Sequence, residues 1–310
     1  MRVLVLGYNA FDVVVALRGL PRPDSKLEVE AIHLGGGGPG ATAAVALARL
    51  GAEVRLATVL GDDPGALWQR GELESAGVDL GPSIQAPGCA APRAVSLADT
   101  ASEERAILWT RGALPAFPVD QVREEWLHGV DLFYCDGHEI SAATVLARAA
   151  RRLGLPVVMD AGSVRPGVRG LVSACTDVIS STRFAPELTG CGEPESALRI
   201  VRDLGPRHVA MTFGADGCLA LDGDGMVHVP AFAVPVRDTT GAGDVFHAGY
   251  AFALAQGRPW LECLRFGAAA AALKCRGWGG RSALPEADEV EDLLRHGRTR
   301  ASTPPGWTGR

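Results

Sequence analysis

The sequence predicts an α/β protein with a mostly parallel central sheet that is covered by helices on both faces. Short apolar runs typical of buried strands alternate with longer segments that have helical periodicity. The chain has 310 residues, of which 47% are apolar and 21% charged, so it is long enough to bury a large core. Ligands of such sheets bind beyond the carboxyl ends of the strands.

The alternation assigns the elements in chain order. The predicted strands are Arg2–Leu6, Glu53–Val59, Leu132–Tyr134, Pro156–Asp160, Val178–Ile179, His208–Thr212 and a short apolar run over Val229–Val236. The predicted helices are Ala41–Leu50, Gly65–Ala76, Ala142–Leu153, Pro194–Asp203, Asp244–Gln256 and Trp260–Cys275. No internal repeat and no long linker divides the chain, so we expect one domain over residues 1–310.

Two segments, within about 11–34 and 90–111, interrupt this alternation. They contain short runs of alternating apolar and polar residues, such as Lys26–Ile32, which predict peripheral strands. The last residues, 296–310, contain Thr303-Pro304-Pro305 and little apolar content, which predicts a loose C-terminal tail.

Composition narrows the class of partner. The formal net charge is −6 and the two signs are interspersed, so we expect no nucleic-acid partner. The seven cysteines include no Cys-x-x-Cys pair, and Met1 leads directly into a strand without room for a signal peptide. No apolar window reaches the length of a membrane span. We therefore expect a cytoplasmic protein with reduced thiols and no membrane partner.

One stretch, Arg237 to Tyr250, carries the strongest chemical signal. Asp238, Thr239 and Thr240 are turn and N-cap residue types, and a helical pattern starts near Asp244. The small residues Gly241-Ala242-Gly243 therefore leave bare amides at a helix N-terminus, where the helix dipole favours an anion. A carboxylate beside a bound phosphate would repel it, so Asp244 fits better as a general base for an attacking hydroxyl. The alternative is an ordinary capped turn.

This stretch, together with Gly36–Gly51 and Gly61–Gly65, resembles the ribokinase-like (PfkB) family of small-molecule kinases. The amino-acid sequences of three segments are most similar to those of the sulfofructose kinase branch, namely Gly37–Thr42, Asp244–His247 and Ala272–Cys275. The resemblance implies a ribokinase-like fold whose small β-sheet forms a lid over the sugar. It also implies a homodimer through that lid, ATP and Mg²⁺ as cofactors and, as in many members, a monovalent cation such as K⁺.

The resemblance further implies which residues bind the sugar. Asp12 would accept hydrogen bonds from sugar hydroxyls, whereas the alternative is a surface turn aspartate. Lys26 would contact an anionic tail, although an isolated lysine is usually a solvated charge. His138 would reach the sugar or cap the following helix. Trp109 and His138, with Arg111 nearby, stand where kinases of acidic sugars usually have an arginine, which departs from the sulfonate-binding pattern. The complete substrate-binding set is Asp12, Lys26, Gly36, Gly37, Gly38, Thr42, Trp109 and His138.

Nucleotide and metal contacts follow from the same resemblance. Ser181 and Phe184 replace the Asn-x-x-Glu that many members use to organise Mg²⁺. Asp160 is a candidate for contacting Mg²⁺ through water, and Asp238 and Thr240 for holding the monovalent cation by their backbone. The implied nucleotide-binding residues are Ser181, Thr212, Gly214, Gly217, Lys274 and Gly277.

The predicted function is transfer of the γ-phosphoryl group of ATP to a primary hydroxyl of a ketose, sugar acid or related small carbohydrate. The catalytic residues would be Asp244 with Gly241, Ala242 and Gly243. Three alternatives remain. The first is a nucleoside or vitamin-alcohol kinase of the same fold, in which Trp109 would be the stacking surface. The second is a non-catalytic sugar-binding regulator. The third is a nicotinamide oxidoreductase, in which Gly35-x-Gly37-x-x-Gly40 would be a dinucleotide-binding motif.

Overall fold

A computed structural model describes residues 1–99 and 105–305. The middle of the second predicted lid segment and the end of the predicted tail, residues 100–104 and 306–310, lie outside the described residues. In the described part of the chain the main sheet has nine strands. In spatial order they are β15 (Gly225–Val229), β14 (Cys218–Asp222), β13 (His208–Thr212), β12 (Asp177–Ser181), β11 (Val157–Ala161), β10 (Leu132–Cys135), β1 (Arg2–Leu6), β4 (Glu53–Ala57) and β6 (Val78–Asp79). Neighbouring strands are parallel except along the β13–β14–β15 edge, which is antiparallel.

Helices cover both faces of this sheet, because successive side chains of a strand point to opposite sides. Val3 and Val5 of β1 join one buried cluster, whereas Leu4 and Leu6 join the other. The first cluster includes residues of α1, α7, α8 and α9, and the second includes residues of α3 to α6. The helices are α1 (Pro39–Arg49), α2 (Pro64–Ser75), α3 (Ile140–Arg152), α4 (Val168–Ala174), α5 (Phe184–Thr189), α6 (Pro194–Asp203), α7 (Ala242–Ala255), α8 (Trp260–Lys274) and α9 (Ala287–His296). The predicted α/β class with a mostly parallel sheet is confirmed.

A second, smaller sheet stands apart from the main one. Its strands in spatial order are β3 (Ala31–Gly37), β2 (Ala10–Leu17), β8 (Arg93–Asp99) and β9 (Arg105–Thr110). The short strands β5 (Val59–Leu60) and β7 (Ile84–Gln85) form a separate two-stranded sheet. Residues of the small sheet alternate between two faces. Asp12, Ala94 and Trp109 are paired across three strands and all line the same cleft.

The peripheral run Lys26–Ile32 is mostly loop, since β3 begins only at Ala31. The other predicted elements are observed with bounds that differ by at most two residues, apart from one. The strand expected over Val229–Val236 is wrong, since β15 ends at Val229 and only Phe232 forms an isolated bridge. Pro230 and Pro235 lack the amide proton that a ladder needs, and this breaks the run. Helices α4, α5 and α9 were not anticipated.

Part of the C-terminal segment is hydrogen-bonded to the rest of the protein. Arg298 and Thr299 lie beside Ala233 and Phe232, and the Arg300 amide donates to the Ala231 carbonyl at 2.8 Å. Ser302 also donates its hydroxyl to the Ala215 carbonyl at 3.0 Å. The expectation of a loose tail is therefore corrected for residues 298–302. Among the described residues, no helix combines the length and apolar character required to cross a membrane.

Candidate active site

A cleft of about 770 Å³ lies between the small sheet, the carboxyl ends of β11 to β13 and the N-terminus of α7. Several chain segments that are far apart in sequence meet here, as expected for a parallel sheet. The residues from the sequence predictions that line it are Asp12, Gly38, Trp109, His138, Asp160, Ser181, Thr212, Gly214, Gly217, Thr240, Gly241, Ala242, Gly243 and Asp244. Their roles stay predictions, but their convergence on one cavity follows from the fold.

The anion loop, Asp238 to Gly243, ends where α7 begins. Gly241 is the N-cap with φ 77°, and a Cβ there would lie 2.8 Å from the Gly280 Cα, so no other residue fits without strain. The Ala242 amide donates to the Thr239 carbonyl at 3.1 Å, so it is engaged within the loop rather than aimed at a ligand. The next amides of the first turn, beginning with Gly243, have no partner within the helix. The loop thus presents an electropositive helix end to the cleft.

Asp244 lies in the first turn of α7 and is half-buried in the cleft wall. Burial raises the pKa of its carboxyl to about 7, and the negative charge of Asp160 adds to the rise. His247 and Arg105 act in the opposite direction. Burial also lowers the pKa of His247 to about 4, so this imidazole is neutral near pH 7. A carboxylate with a pKa near the working pH is suited to general-base catalysis.

Asp160, at the end of β11, is the second acidic group in this part of the cleft. Burial raises the pKa of Asp160 to about 8, and the charge of Asp136 adds to this. The Tyr134 hydroxyl donates to Asp160 Oδ2 at 3.4 Å, and His247 Nδ1 lies 3.3 Å from the same oxygen. No group of three acidic, histidine or cysteine side chains within residues 1–99 and 105–305 forms a metal-binding cluster. Mutual charge repulsion between the acids nevertheless fits a cation held near Asp160.

Asp12 faces the cleft from β2, and its Oδ1 is buried without a hydrogen-bond partner. Burial raises the pKa of Asp12 to about 7, although the Arg281 guanidinium opposes this shift. A Cβ on Gly37 would lie 2.0 Å from Asp12 Oδ2, so Gly37 makes room for this carboxylate. An unpaired buried carboxylate oxygen is an open acceptor for a ligand hydroxyl.

The glycine-rich segment before α1, Gly35 to Gly38, packs against a buried ion pair that the sequence did not indicate. The side chain of Arg281 is 3% exposed, forms an ion pair with Glu72 at 2.6 Å, and donates to the Gly37 carbonyl at 2.5 Å. A Cβ on Gly36 would lie 1.9 Å from Glu72 Oε2. Thr42 accepts from Arg281 Nε at 3.4 Å. Gly36, Gly37 and Thr42 therefore pack around this ion pair and Asp12 and are not among the residues that line the cleft, while their role as direct sugar contacts stays a prediction.

The far end of the cleft is built from stacked rings and arginines. The ring centroids of Tyr8 and His138 are 4.5 Å apart, and Trp109 meets His138 edge-on at 5.9 Å. Arg165 Nη2 lies 3.3 Å from His138 Nδ1, and its guanidinium stands 5.6 Å from the Trp109 ring centroid. His138 does not cap α3, whose N-cap is Glu139 without a side-chain cap bond.

Two arginines at this end differ in what neutralises them. Arg111 is ion-paired with the buried Glu139, which also accepts from the Phe117 amide, so its charge is already balanced. Arg165 has no ion pair with an acidic side chain in the described part of the chain, and it lines the cleft. The sequence reasoning named Arg111 and missed Arg165, because no local pattern around Arg165 distinguishes it from a surface residue.

Another part of the cleft lining, here called the apolar slot, consists of small apolar side chains. Val234, Val236, Ala268 and Ala272 contribute to the slot. Besides Arg165, three further arginines that the sequence did not point to line the cleft, Arg105, Arg183 and Arg300. Arg105 also donates to the Thr239 hydroxyl, which links the small sheet to the anion loop.

Three predicted contacts lie away from this cleft. Lys26 is in an exposed loop between β2 and β3. Lys274 is fully buried and donates to the Asp238 carbonyl at 3.0 Å. A Cβ on Gly277 would lie 2.6 Å from Ala283 Cβ, so this glycine packs against its own loop. None of the three is among the residues that line the cleft, and their roles as substrate or nucleotide contacts stay predictions.

The dinucleotide alternative is inconsistent with the topology. Gly35, Gly37 and Gly40 span the end of β3 in the small antiparallel sheet and the start of α1. In a dinucleotide fold this motif follows the first strand of the parallel sheet. Here the first strand of the parallel sheet, β1, is followed by β2, so the glycine pattern is not a dinucleotide-binding motif.

Comparisons with known proteins point in one direction. A model of the pfkB family of carbohydrate kinases matches residues 1–287. The ATP-dependent ribose-1-phosphate kinase of Halopiger xanaduensis is 32% identical over 297 residues, covering 95% of this chain and 98% of that protein. The ribokinase of Bacillus subtilis is 28% identical, covering 94% and 99%. The structure of Arabidopsis thaliana ribokinase complexed with ribose and ATP superposes with a TM-score of 0.79 at 25% identity, covering 94% and 98%.

Proposed function

We propose, because the chain belongs to the pfkB family of carbohydrate kinases, that it transfers the γ-phosphoryl group of ATP to a primary hydroxyl of a small carbohydrate, with Asp244 as the general base. The observation that carries this proposal is the position of Asp244 in the first turn of α7, directly after the anion loop and inside the cleft. The carboxyl stands beside the only place in that turn where a phosphate would be attracted.

The chemical step requires little covalent work from the protein. The Asp244 carboxylate takes the proton of the acceptor hydroxyl as the hydroxyl oxygen forms a bond to the γ-phosphorus, and the bond to the β-phosphate oxygen breaks to release ADP. The amides of the α7 N-terminus, with Gly243 first, stabilise the charge on the transferring group. Closure of the small sheet over the cleft would exclude the water that could otherwise hydrolyse ATP.

The nucleotide would occupy the part of the cleft that contains the apolar slot. Thr212, Gly214 and Gly217 line the approach to this slot and fit the ribose and phosphates, while Arg183 and Arg300 offer positive charge. Asp160 would hold Mg²⁺ through water. When bound, Mg²⁺ neutralises charge on the phosphates. Asp160 itself keeps its carboxyl at the end of β11, hydrogen-bonded to Tyr134.

The sugar would occupy the space between Asp12 and Asp244. Asp12 offers an unpartnered acceptor oxygen, and the charge of Asp244 contributes to raising the pKa of Asp12, so the two carboxyls are close enough to interact. A polyol placed between them donates one hydroxyl to each. The reacting hydroxyl is then the one on Asp244, and neighbouring hydroxyls are held by Asp12.

The far end of the cleft favours a carbohydrate with an anionic substituent. Arg165 brings an unbalanced positive charge to this wall, beside His138 and Trp109. The name of the Halopiger relative specifies a phosphorylated ribose. A sugar acid, a sugar phosphate or a sulfonated ketose each has a suitable group. The sequence resemblance to the sulfofructose kinase branch favours the last, whereas Trp109 and His138 depart from the sulfonate-binding pattern and weigh against it. A nucleoside that stacks on Trp109 is the second candidate, supported by the half-exposed indole.

The small sheet would act as the lid and as the surface for a homodimer. Its inner face carries Asp12 and Trp109, so it moves with the sugar-binding groups. Its outer face is apolar across all four strands, where Leu34, Val13, Val95 and Leu108 are paired side by side. Leu34 is 62% and Leu108 59% exposed, which is unusual for a sheet without a partner. A single kinase domain, a cytoplasmic location and the dimer are parts of the same proposal.

The direct test is ADP release from MgATP with a panel of acceptors. The panel contains ribose, ribose 1-phosphate, fructose, sulfofructose, an aldonic acid and adenosine. We expect turnover with an anionic sugar and little with neutral ones. Turnover with adenosine alone would favour the second candidate, and ligand binding without any turnover would favour a regulator.

The role of Arg165 is tested with the acceptor that this panel identifies. Arg165→Gln removes one charge-assisted hydrogen bond, typically worth about 1.5–3 kcal/mol, so kcat/KM for an anionic sugar should fall about 10- to 100-fold, mainly through KM. The rate with a neutral sugar at equal concentration should hardly change. An equal loss on both substrates would contradict the anion contact.

A further inference from the structure

A buried ammonium group stands directly behind the anion loop. Lys274 is the last residue of α8, its side chain has no exposed surface, and its Nζ donates to the Asp238 carbonyl at 3.0 Å. Burial lowers the pKa of Lys274, and the nearby Asp238 carboxylate opposes this. A charge is buried at a cost unless something compensates it, so this placement needs a reason.

Asp238, which Lys274 contacts, holds the anion loop in place through its side-chain hydrogen bonds. Asp238 Oδ1 accepts from the Thr240 amide and the Thr240 hydroxyl, both at 2.8 Å, and Asp238 Oδ2 accepts from the Gly279 amide at 2.6 Å. The Arg237 amide donates to the Cys275 carbonyl at 2.8 Å. The chain before α7 and the chain after α8 are therefore held together at Asp238, the first residue of the anion loop.

The expected monovalent cation does not fit this arrangement. The sequence resemblance placed such an ion on the backbone of Asp238 and Thr240. The Asp238 carbonyl already accepts from a full positive charge, and a second cation on the same oxygen would be repelled by it.

We infer that Lys274 is a built-in cation that takes the place of the monovalent metal ion and positions the anion loop, so that phosphoryl transfer in this protein needs no K⁺. Lys274 does not touch the substrate and acts through Asp238, so it is a positioning residue. Its charge also interacts with the Asp244 carboxyl, which places it within the field of the catalytic site. This inference rests on the proposed kinase function for its activity assay.

The test compares the wild type with Lys274→Ala and Lys274→Met in tetramethylammonium chloride and in KCl at equal ionic strength. We expect the wild-type rate to differ less than about twofold between the salts. Lys274→Ala opens a space beside the Asp238 carbonyl, so its rate should fall about 10- to 100-fold without K⁺, in the range found when a supporting ligand shell is disturbed. KCl or ammonium chloride should restore most of that loss.

Two variants serve as matched controls. Lys274→Met fills the space without a charge, so K⁺ should restore little of its rate. Arg276→Ala removes a neighbouring cation that is ion-paired with Glu289 at 3.3 Å and does not line the cleft, and it should leave the rate and its salt dependence unchanged. A merely structural lysine would give losses that K⁺ does not reverse.

A second measurement separates this inference from the kinase proposal. Thermal unfolding needs no acceptor sugar, so Tm can be measured in both salts for every variant. KCl should raise the Tm of Lys274→Ala relative to tetramethylammonium chloride and leave the wild type unchanged. A wild type whose rate or Tm rises strongly with K⁺ would overturn the inference, as would a Lys274→Ala variant that matches the wild type without K⁺. If Lys274→Ala does not fold, the wild-type salt comparison and Lys274→Met decide.

Discussion

Three carboxyl groups at this site have pKa values displaced in the same direction. Asp244 and Asp12 have pKa values of about 7 and Asp160 of about 8, in each case mainly because of burial. The acids also raise one another's pKa values, since Asp160 acts on Asp244 and Asp244 acts on Asp12. Paired acids with raised pKa values are typical of sites that handle protons or cations.

The pKa of Asp244 sets the expected pH dependence. The base works only when deprotonated, so log kcat/KM should fall with decreasing pH below about 7, with a slope of at least one. Protonation of Asp12 removes an acceptor for the sugar and can increase the slope to two. A flat profile between pH 5 and 8 would contradict the assignment.

Residue roles could be predicted where the chemistry is local in the sequence. Asp244 and the anion loop follow one another along the chain, so one local motif and the family resemblance that it carries pointed to them. Arg281 meets Glu72 across 209 positions, and Arg165 meets His138 across 27, so neither contact leaves a local pattern. Gly36 and Gly37 were identified as special, but their reason, the ion pair and Asp12 packed against them, is tertiary.

At the scale of elements, the small sheet connects the two ends of the site. Ser96 on β8 is hydrogen-bonded with Thr240 of the anion loop at 3.3 Å, and Arg105 on β9 contacts Thr239. Asp12 and Trp109 project from the same inner face. Movement of this sheet would therefore shift the sugar-binding groups and the anion loop together, which suits a lid that closes before the chemical step.

The outer face of the small sheet makes a prediction about assembly. Leu34→Glu combined with Leu108→Glu places two carboxylates in the apolar row, where a paired surface would have to bury them. We expect the wild type to sediment at twice the chain mass of 32.3 kDa and the variant at the chain mass. Leu153→Glu, at a 57% exposed site at the end of α3, should leave the dimer intact. A monomeric wild type at micromolar concentration would contradict the interface.

Elements were predictable where their periodicity was uninterrupted. β1, β13 and α6 were assigned with their observed bounds, because an apolar run or stripe ends abruptly at each terminus. Val229–Val236 has enough apolar residues for a strand, but its two prolines leave no continuous ladder. The short helices α4 and α5 have seven and six residues, too few turns for a recognisable stripe.

The whole molecule brings these parts together through its topology. Parallel strands place the ends of β11, β12 and β13 at one edge, and α7 begins at the same edge after the antiparallel pair β14 and β15. The α/β class could be predicted from alternation alone. The order of strands and the position of the small sheet could not, because they depend on contacts between segments more than a hundred residues apart, such as that of Ser96 with Thr240.

The central claim is that the Asp244 carboxylate takes the proton of the acceptor hydroxyl. The most direct measurement is single-turnover transfer of the labelled γ-phosphoryl group from ATP to the identified sugar by Asp244→Asn, with ATP affinity measured in parallel. The rate should fall about 10²- to 10⁴-fold while ATP binds at least as tightly, because a negative charge beside the phosphates is removed. Asp222→Asn, at an exposed site outside the cleft, should transfer at the wild-type rate. An Asp244→Asn rate within tenfold of the wild type would contradict the account.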